Sequence, residues 1–167
     1  MKLSEGVEIA IHCMAMLSGL QGDAVLPAAA LAEFHGVSPS YLLKHLQALS
    51  GAGLLVAVPG PRGGYRLARP ATDISFLDII VALEGPRPAF RCAEVRQRGP
   101  FPLEARFLSA PCGINAAMLR AEKAYRAELA KVRIADFAVS LDAESELDRA
   151  IAARNCRYLA TRERPQT

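Results

Sequence analysis

Hydrophobic positions in this chain change period twice within the first seventy residues, and those changes mark out the predicted elements. Val7, Ile11, Met14 and Leu17 fall on one stripe widened by Ala10, which predicts a helix over residues 3–18. Glu8 and His12 stand four apart on a neighbouring face and can meet there. Residues 18–27, rich in Gly and polar side chains, read as a loop. Residues 28–35 predict a short helix with Leu31 and Phe34 as its apolar contacts, and Gly36 stands where a helix end needs the left-handed conformation. Ser38 then occupies an N-cap position and Pro39 the first helical one, where a missing N–H is harmless. Leu42, Leu46 and Leu49 give the new helix one buried face and leave Ser40, Tyr41, Lys44, His45 and Gln47 to point elsewhere. Short helix, glycine turn and capped second helix make a helix-turn-helix.

The period then shifts. Residues 54–58 read as a strand, residues 59–64 as a Gly/Pro turn and residues 65–68 as the returning strand. A hairpin directly after a helix-turn-helix predicts a winged helix. Its tip carries Arg62, with Gly63 and Gly64 beside it and Arg66 and Arg69 behind, and no acid stands in the sequence between Glu33 and Asp73. Glycines admit close backbone approach, and an exposed Arg at a wing tip suits a minor groove or a phosphate. Residues 74–83 predict a helix capped by Asp73 or Ser75. After a Gly-Pro-Arg-Pro break, residues 89–111 are loop-like and hold Cys92. Cys112 opens the longest predicted helix, where Ile114, Met118, Ala121, Tyr125, Leu129 and Val132 alternate three and four apart. That narrow stripe resembles a coiled-coil seam and predicts dimerisation. Beyond residue 140, Leu147 and Ile151 suggest an amphipathic helix before a polar tail.

The predicted fold class is therefore mostly α with a small β-hairpin wing. It comprises a winged helix-turn-helix domain (1–84), a sensory or cluster-type loop (85–112), a dimerisation helix (113–138) and a C-terminal helix with tail (139–167).

Composition narrows the classes without choosing among them. The 167 residues are 51% apolar, enough for a real core, and a net charge of +3 is compatible with nucleic acid without requiring it. No apolar run approaches a membrane span and no cleavable leader pattern opens the chain, so a soluble, cytoplasmic protein is expected. The cysteines Cys13, Cys92, Cys112 and Cys156 lack the dense spacing of a secreted scaffold; Cys13 and Cys156 read as structural.

Met-Lys-Leu-Ser at residues 1–4, Val-Ser-Pro-Ser-Tyr-Leu at 37–42, Gly-Leu-Leu at 53–55, Gly-Pro-Arg-Gly-Gly-Tyr at 60–65 and Ile-Ser-Phe-Leu-Asp-Ile at 74–79 resemble the Rrf-two family of bacterial transcription regulators. The resemblance covers roughly residues 1–138. It implies a homodimer of winged helices joined through the long helices, each placing its second helix in the major groove of a near-palindromic double-stranded DNA operator. Ser38, Ser40, Tyr41 and Lys44 would then meet phosphates and base edges with His45 nearby, and Arg62, Gly63, Gly64 and Arg66 would serve from the wing. The resemblance also implies an iron–sulfur cluster on three closely spaced loop cysteines, with an added carboxylate or His in some members. That pattern is broken here, because no cysteine follows Cys92 before Cys112. Two thiolates fall short of the usual four ligands. Three readings of the sensory loop stay open: a mixed ligand set of Cys92, Cys112, His12 and Glu8, a thiol pair that oxidises to a disulfide, or passive cysteines.

The expected function is sequence-specific transcriptional regulation, as a repressor, responsive to redox state or an iron–sulfur cluster. One rival is a winged-helix protein–protein module, which needs no all-basic wing. The other, an enzyme using Cys92 or Cys112 with His12 or His35, lacks a recognisable nucleophile–base constellation and is set aside; the chain is read as a non-enzyme.

Overall fold

The computed structural model describes residues 3–110, 112–138 and 141–166. The first two residues of the opening motif, Pro111 at the end of the predicted loop and residues 139–140 at the last predicted boundary lie outside these. Among the described residues six α-helices and one hairpin follow in the order α1 (Glu5–Leu17), α2 (Ala28–His35), α3 (Pro39–Gly51), β1 (Leu55–Val58), β2 (Gly64–Leu67), α4 (Phe76–Glu84), α5 (Gly113–Leu129) and α6 (Glu146–Arg162). The architecture is the winged helix that the pattern predicts.

The stripes of α1 and α3 turn inward, Ile11 only partly. Ala10, Met14 and Leu17 of α1 join Leu31 of α2, Leu42, Leu46 and Leu49 of α3 and Ile79 of α4 in one continuous core, and Val7 of α1 is buried as well. Cys13 lies inside that core, and burial pushes its thiol up to about 12. Gly36 ends α2 in the left-handed conformation (φ 66°), and the amide of Val37 donates to Ala32 O, so the turn into α3 is closed. Ser38 Oγ accepts the Tyr41 N–H at 3.2 Å, and Pro39 starts the helix. For α4 the cap is Ser75 rather than Asp73. Ser75 Oγ accepts from Asp78 N while Asp78 Oδ2 accepts from Ser75 N, a reciprocal capping box.

Two segments differ from the prediction. Residues 24–26 are not simply loop: Ala24, Val25 and Leu26 are buried, and Leu26 exchanges both backbone hydrogen bonds with Tyr65, widening the antiparallel hairpin. Three apolar residues after a glycine-rich turn are too short a run to show a strand period. Helix α5 is also shorter than predicted, ending at Leu129. Past it the chain extends, Phe76 N donates to Val132 O and Ile134 N to Ile74 O, and the fully buried Ile134 drops into the core. The apolar spacing that prolongs the predicted helix here belongs to a bridge back to the winged domain.

Candidate nucleic-acid interface and cysteine loop

The outward face of α3 is built by its cap. Because Ser38 and Pro39 set the first turn, Ser38, Ser40, Lys44 and Gln47 are exposed while Leu42, Leu46 and Leu49 are buried beneath them. Ser38 Oγ and Ser40 Oγ stand 3.4 Å apart, presenting two hydroxyls at the helix start. Lys44 Nζ lies 4.5 Å above the Tyr41 ring, so the cation is steered without being neutralised. His45 is placed differently. It packs edge-on against Tyr41 with ring centroids 4.9 Å apart, and its ring rests on Gly6 of α1 so closely that a Cβ there would fall 2.4 Å from Cε1. Its Nε2 is buried without a hydrogen-bond partner among the described residues, and burial, with Lys44 adding to it, holds the imidazole below its ordinary pKa. The imidazole is thus a spacer between α1 and α3 in this arrangement.

In the wing, Val56 pairs with Arg66 and Val58 with Gly64. Arg62 sits exposed on the turn, with no acidic partner among the described residues. The wing is less purely basic than its sequence. Arg66 lies 3.7 Å from Asp23 and Arg69 3.2 Å from Asp78, acids that the fold brings in from outside the hairpin. Both pairs are solvent-exposed and correspondingly weak. Gly63 and Gly64 are required by backbone proximity. A Cβ on Gly63 would lie 2.0 Å from Val58 O, and one on Gly64 would lie 2.6 Å from Leu26 O.

In the loop, the fold brings together the two cysteines that the sequence separates. Cys92 Sγ and Cys112 Sγ are 3.9 Å apart, Cys92 exposed and Cys112 half-buried. Cys112 also caps α5, its sulfur accepting the Asn115 N–H at 3.3 Å. Arg96 stands close enough to both sulfurs to feel them, and its guanidinium pairs with Glu94, which that pairing holds below the usual carboxylate range. The loop is pinned to α5 by Glu122, whose Oε2 accepts the Ala89 N–H at 2.9 Å while Oε1 pairs with Arg126.

His12 and Glu8 do not join the thiols. Among the described residues no three His, Cys, Asp or Glu side chains are grouped to hold a metal. His12 instead faces His35 across 6.1 Å between ring centroids, where burial, His12 and Arg154 push His35 down to about 4. One copy of the chain therefore supplies two thiols, and the four-ligand set of a cluster does not fit it. Cys156, expected to be structural, is exposed on α6. Sequence reading missed Arg164, which lies against the wing turn; only its charge in a polar tail marked it.

The Rrf2 family model, described as an iron-dependent transcriptional regulator, matches residues 3–140. The chain is 33% identical over 125 residues to protein aau3 of Rhizobium meliloti, covering 75% of this chain and 77% of that protein. It is 40% identical over 79 residues to the putative HTH-type transcriptional regulator YwgB of Bacillus subtilis, 47% of this chain and 51% of that one. The match thus spans about half the length of YwgB. The solved structure of CymR, the global cysteine regulator of B. subtilis, superposes with a TM-score of 0.64 at 23% identity, covering 83% of this chain and 96% of that chain, a likeness of fold. Among the described residues no helix is long and apolar enough to cross a membrane.

Proposed function

The chain belongs to the Rrf2 family of transcriptional regulators, and from that premise we propose that it binds a near-palindromic DNA operator as a homodimer in the cytoplasm and represses transcription. The observation that carries this reading is the exposed, capped face of α3, with Ser38, Ser40 and Lys44 outward and the half-buried Tyr41 beside them over a buried leucine row. Small hydroxyls and one unneutralised cation suit phosphate and base-edge contacts in a major groove. Arg62 reaches for a minor groove or phosphate, with Arg66 helping once DNA competes for it against Asp23. His45 supports the helix from behind. Dimerisation runs through α5 and the residues to 138. In support, Ile114, Met118 and Leu119 are 71%, 44% and 39% exposed on one chain, an apolar strip that a second copy would bury.

For the sensory half, the 3.9 Å between Cys92 and Cys112 favours the thiol pair over the cluster. A hydroperoxide would oxidise one thiolate to a sulfenic acid and leave as the alcohol or water. The second thiol then displaces water from that sulfur, forming the disulfide. Because Cys112 is the cap of α5, the bond would act directly on the dimerisation helix.

Both halves are testable on the full-length protein. A duplex selected from a random pool should bind with strong salt dependence, and Lys44→Ala should lower the slope of log K against log salt by about 0.9. Failure to select any duplex would leave the protein–protein module. Anaerobic purification and counts of iron, sulfide and thiols test the sensor. A loss of two thiols on mild peroxide treatment supports the pair; stoichiometric iron and sulfide with visible charge-transfer absorption would overturn it.

A further inference from the structure

The matched family region ends at residue 140, yet the residues beyond it are not an idle tail. Helix α6 starts under a Ser145 cap and lies back against α2 and the turn that follows α1. Its buried face is Ala152, Leu159 and the half-buried Tyr158, not the predicted Leu147, which is 68% exposed. Leu159 enters the core beside Gly19, where a Cβ would come within 3.2 Å of its Cδ1. The Tyr158 hydroxyl lies 2.8 Å from Ala30 O and 3.0 Å from Glu33 Oε2, and Arg162 pairs with Glu33 at 3.0 Å. Arg154 lies 4.7 Å above the Phe34 ring. These contacts anchor α6 to the first helix of the helix-turn-helix.

Beyond α6 the chain reaches the wing. Arg164 exchanges both backbone hydrogen bonds with Val25, so the tail adds one residue to the sheet edge whose next residue, Leu26, pairs with Tyr65 of β2. The Arg164 guanidinium donates to Pro61 O at 2.6 Å, and the Gln166 amide donates to Arg62 O at 3.3 Å. Both acceptors belong to the turn that carries the Arg62 side chain. An isolated two-stranded turn is intrinsically mobile; this one is tethered at its tip to a helix that is itself bolted to α2.

We propose that residues 146–166 are a strap that holds the wing in its DNA-reading position, with Arg164 as the positioning residue. The strap rests on the reading of the wing as a DNA-contacting element, and it makes operator affinity depend on a segment outside the family's shared region. Arg164 acts through Arg62: it orders the turn so that less entropy is lost when Arg62 meets the duplex.

The test uses full-length protein, a duplex selected from a random pool and amide hydrogen exchange of the free protein. Arg164→Ala should speed exchange at Gly63, whose N–H closes the turn onto Gly60 O. The same change should weaken duplex binding by about threefold to tenfold, the range expected when a charge-assisted hydrogen bond on the surface is lost. Arg157→Ala removes an equal charge from the exposed side of α6 and should change neither readout. In a cycle with Arg62→Ala, Arg164→Ala should cost little further affinity, because its effect passes through that side chain. Additive losses, or wild-type exchange and affinity in Arg164→Ala, would overturn the strap. If wild-type protein selects no duplex, the DNA-binding reading fails, while exchange at Gly63 still decides whether the tether exists.

Discussion

Replacing Gly64 with Ala tests the backbone contact that joins the wing to residues 26–27. An added Cβ would stand 2.6 Å from both Leu26 C and Leu26 O and 2.9 Å from Pro27 N. All three are main-chain atoms, so no side-chain rotation relieves the clash and the strands must separate. Separation stretches the Leu26 N to Tyr65 O and Tyr65 N to Leu26 O hydrogen bonds, now 3.0 and 2.9 Å. Each contributes about 1 kcal/mol net, and overpacking adds about 1–3 kcal/mol. Against these stands a gain of about 0.4–1 kcal/mol from the less flexible unfolded chain. The net loss is about 2–4.6 kcal/mol. For a chain of this size that lowers the unfolding midpoint by about 4–18 °C. Thermal unfolding monitored by circular dichroism reads it directly, with Gly99→Ala, which meets no atom within 4 Å, as the neutral control. A Gly64→Ala midpoint within a degree of wild type would refute the claim that backbone crowding, rather than DNA contact, demands this glycine.

Three further outcomes are expected. Ser75→Ala removes the capping box of α4 and should cost about 1 kcal/mol in urea unfolding, with Asp78→Ala losing a similar share if the box is reciprocal. His35, held down to about 4 against an ordinary 6.5, stays neutral in the fold while the unfolded chain takes up a proton first. Stability should therefore fall as pH drops from about 6.5 to about 4, and His35→Leu should flatten that slope; an unchanged slope refutes the assignment. Finally, Cys13, pushed up to about 12 by burial, should resist alkylation until the protein unfolds, whereas the exposed Cys92 should label in the native state. Mass spectrometry of the alkylated peptides separates the two.

The winged helix was legible because its signals are local. A leucine row at helical spacing, Gly36 at a left-handed turn, Ser38 with Pro39 and a glycine-rich hairpin each arise from a few neighbouring residues, and the structure keeps all of them. The exposed face of α3 came with them, since burying Leu42, Leu46 and Leu49 leaves the other side outward. Long-range partners were not decided in the sequence, the Cys92–Cys112 pair standing as one of three open readings and the others carrying no signal. The approach of Cys92 to Cys112 across the loop, the acids Asp23 and Asp78 beside the wing arginines, and the seating of His45 on Gly6 depend on where distant segments pack. The end of α5 at Leu129 was misread because Val132 continues the helical spacing while its carbonyl belongs to a bridge with Phe76. The sequence by itself thus determined the elements and the exposed face of α3, because helix caps, turns and apolar periodicity act within a few residues. Only the tertiary structure decided which thiols meet, which cations remain free and that the C-terminal strap reaches the wing, because those contacts join residues whose separation along the chain carries no periodic signal.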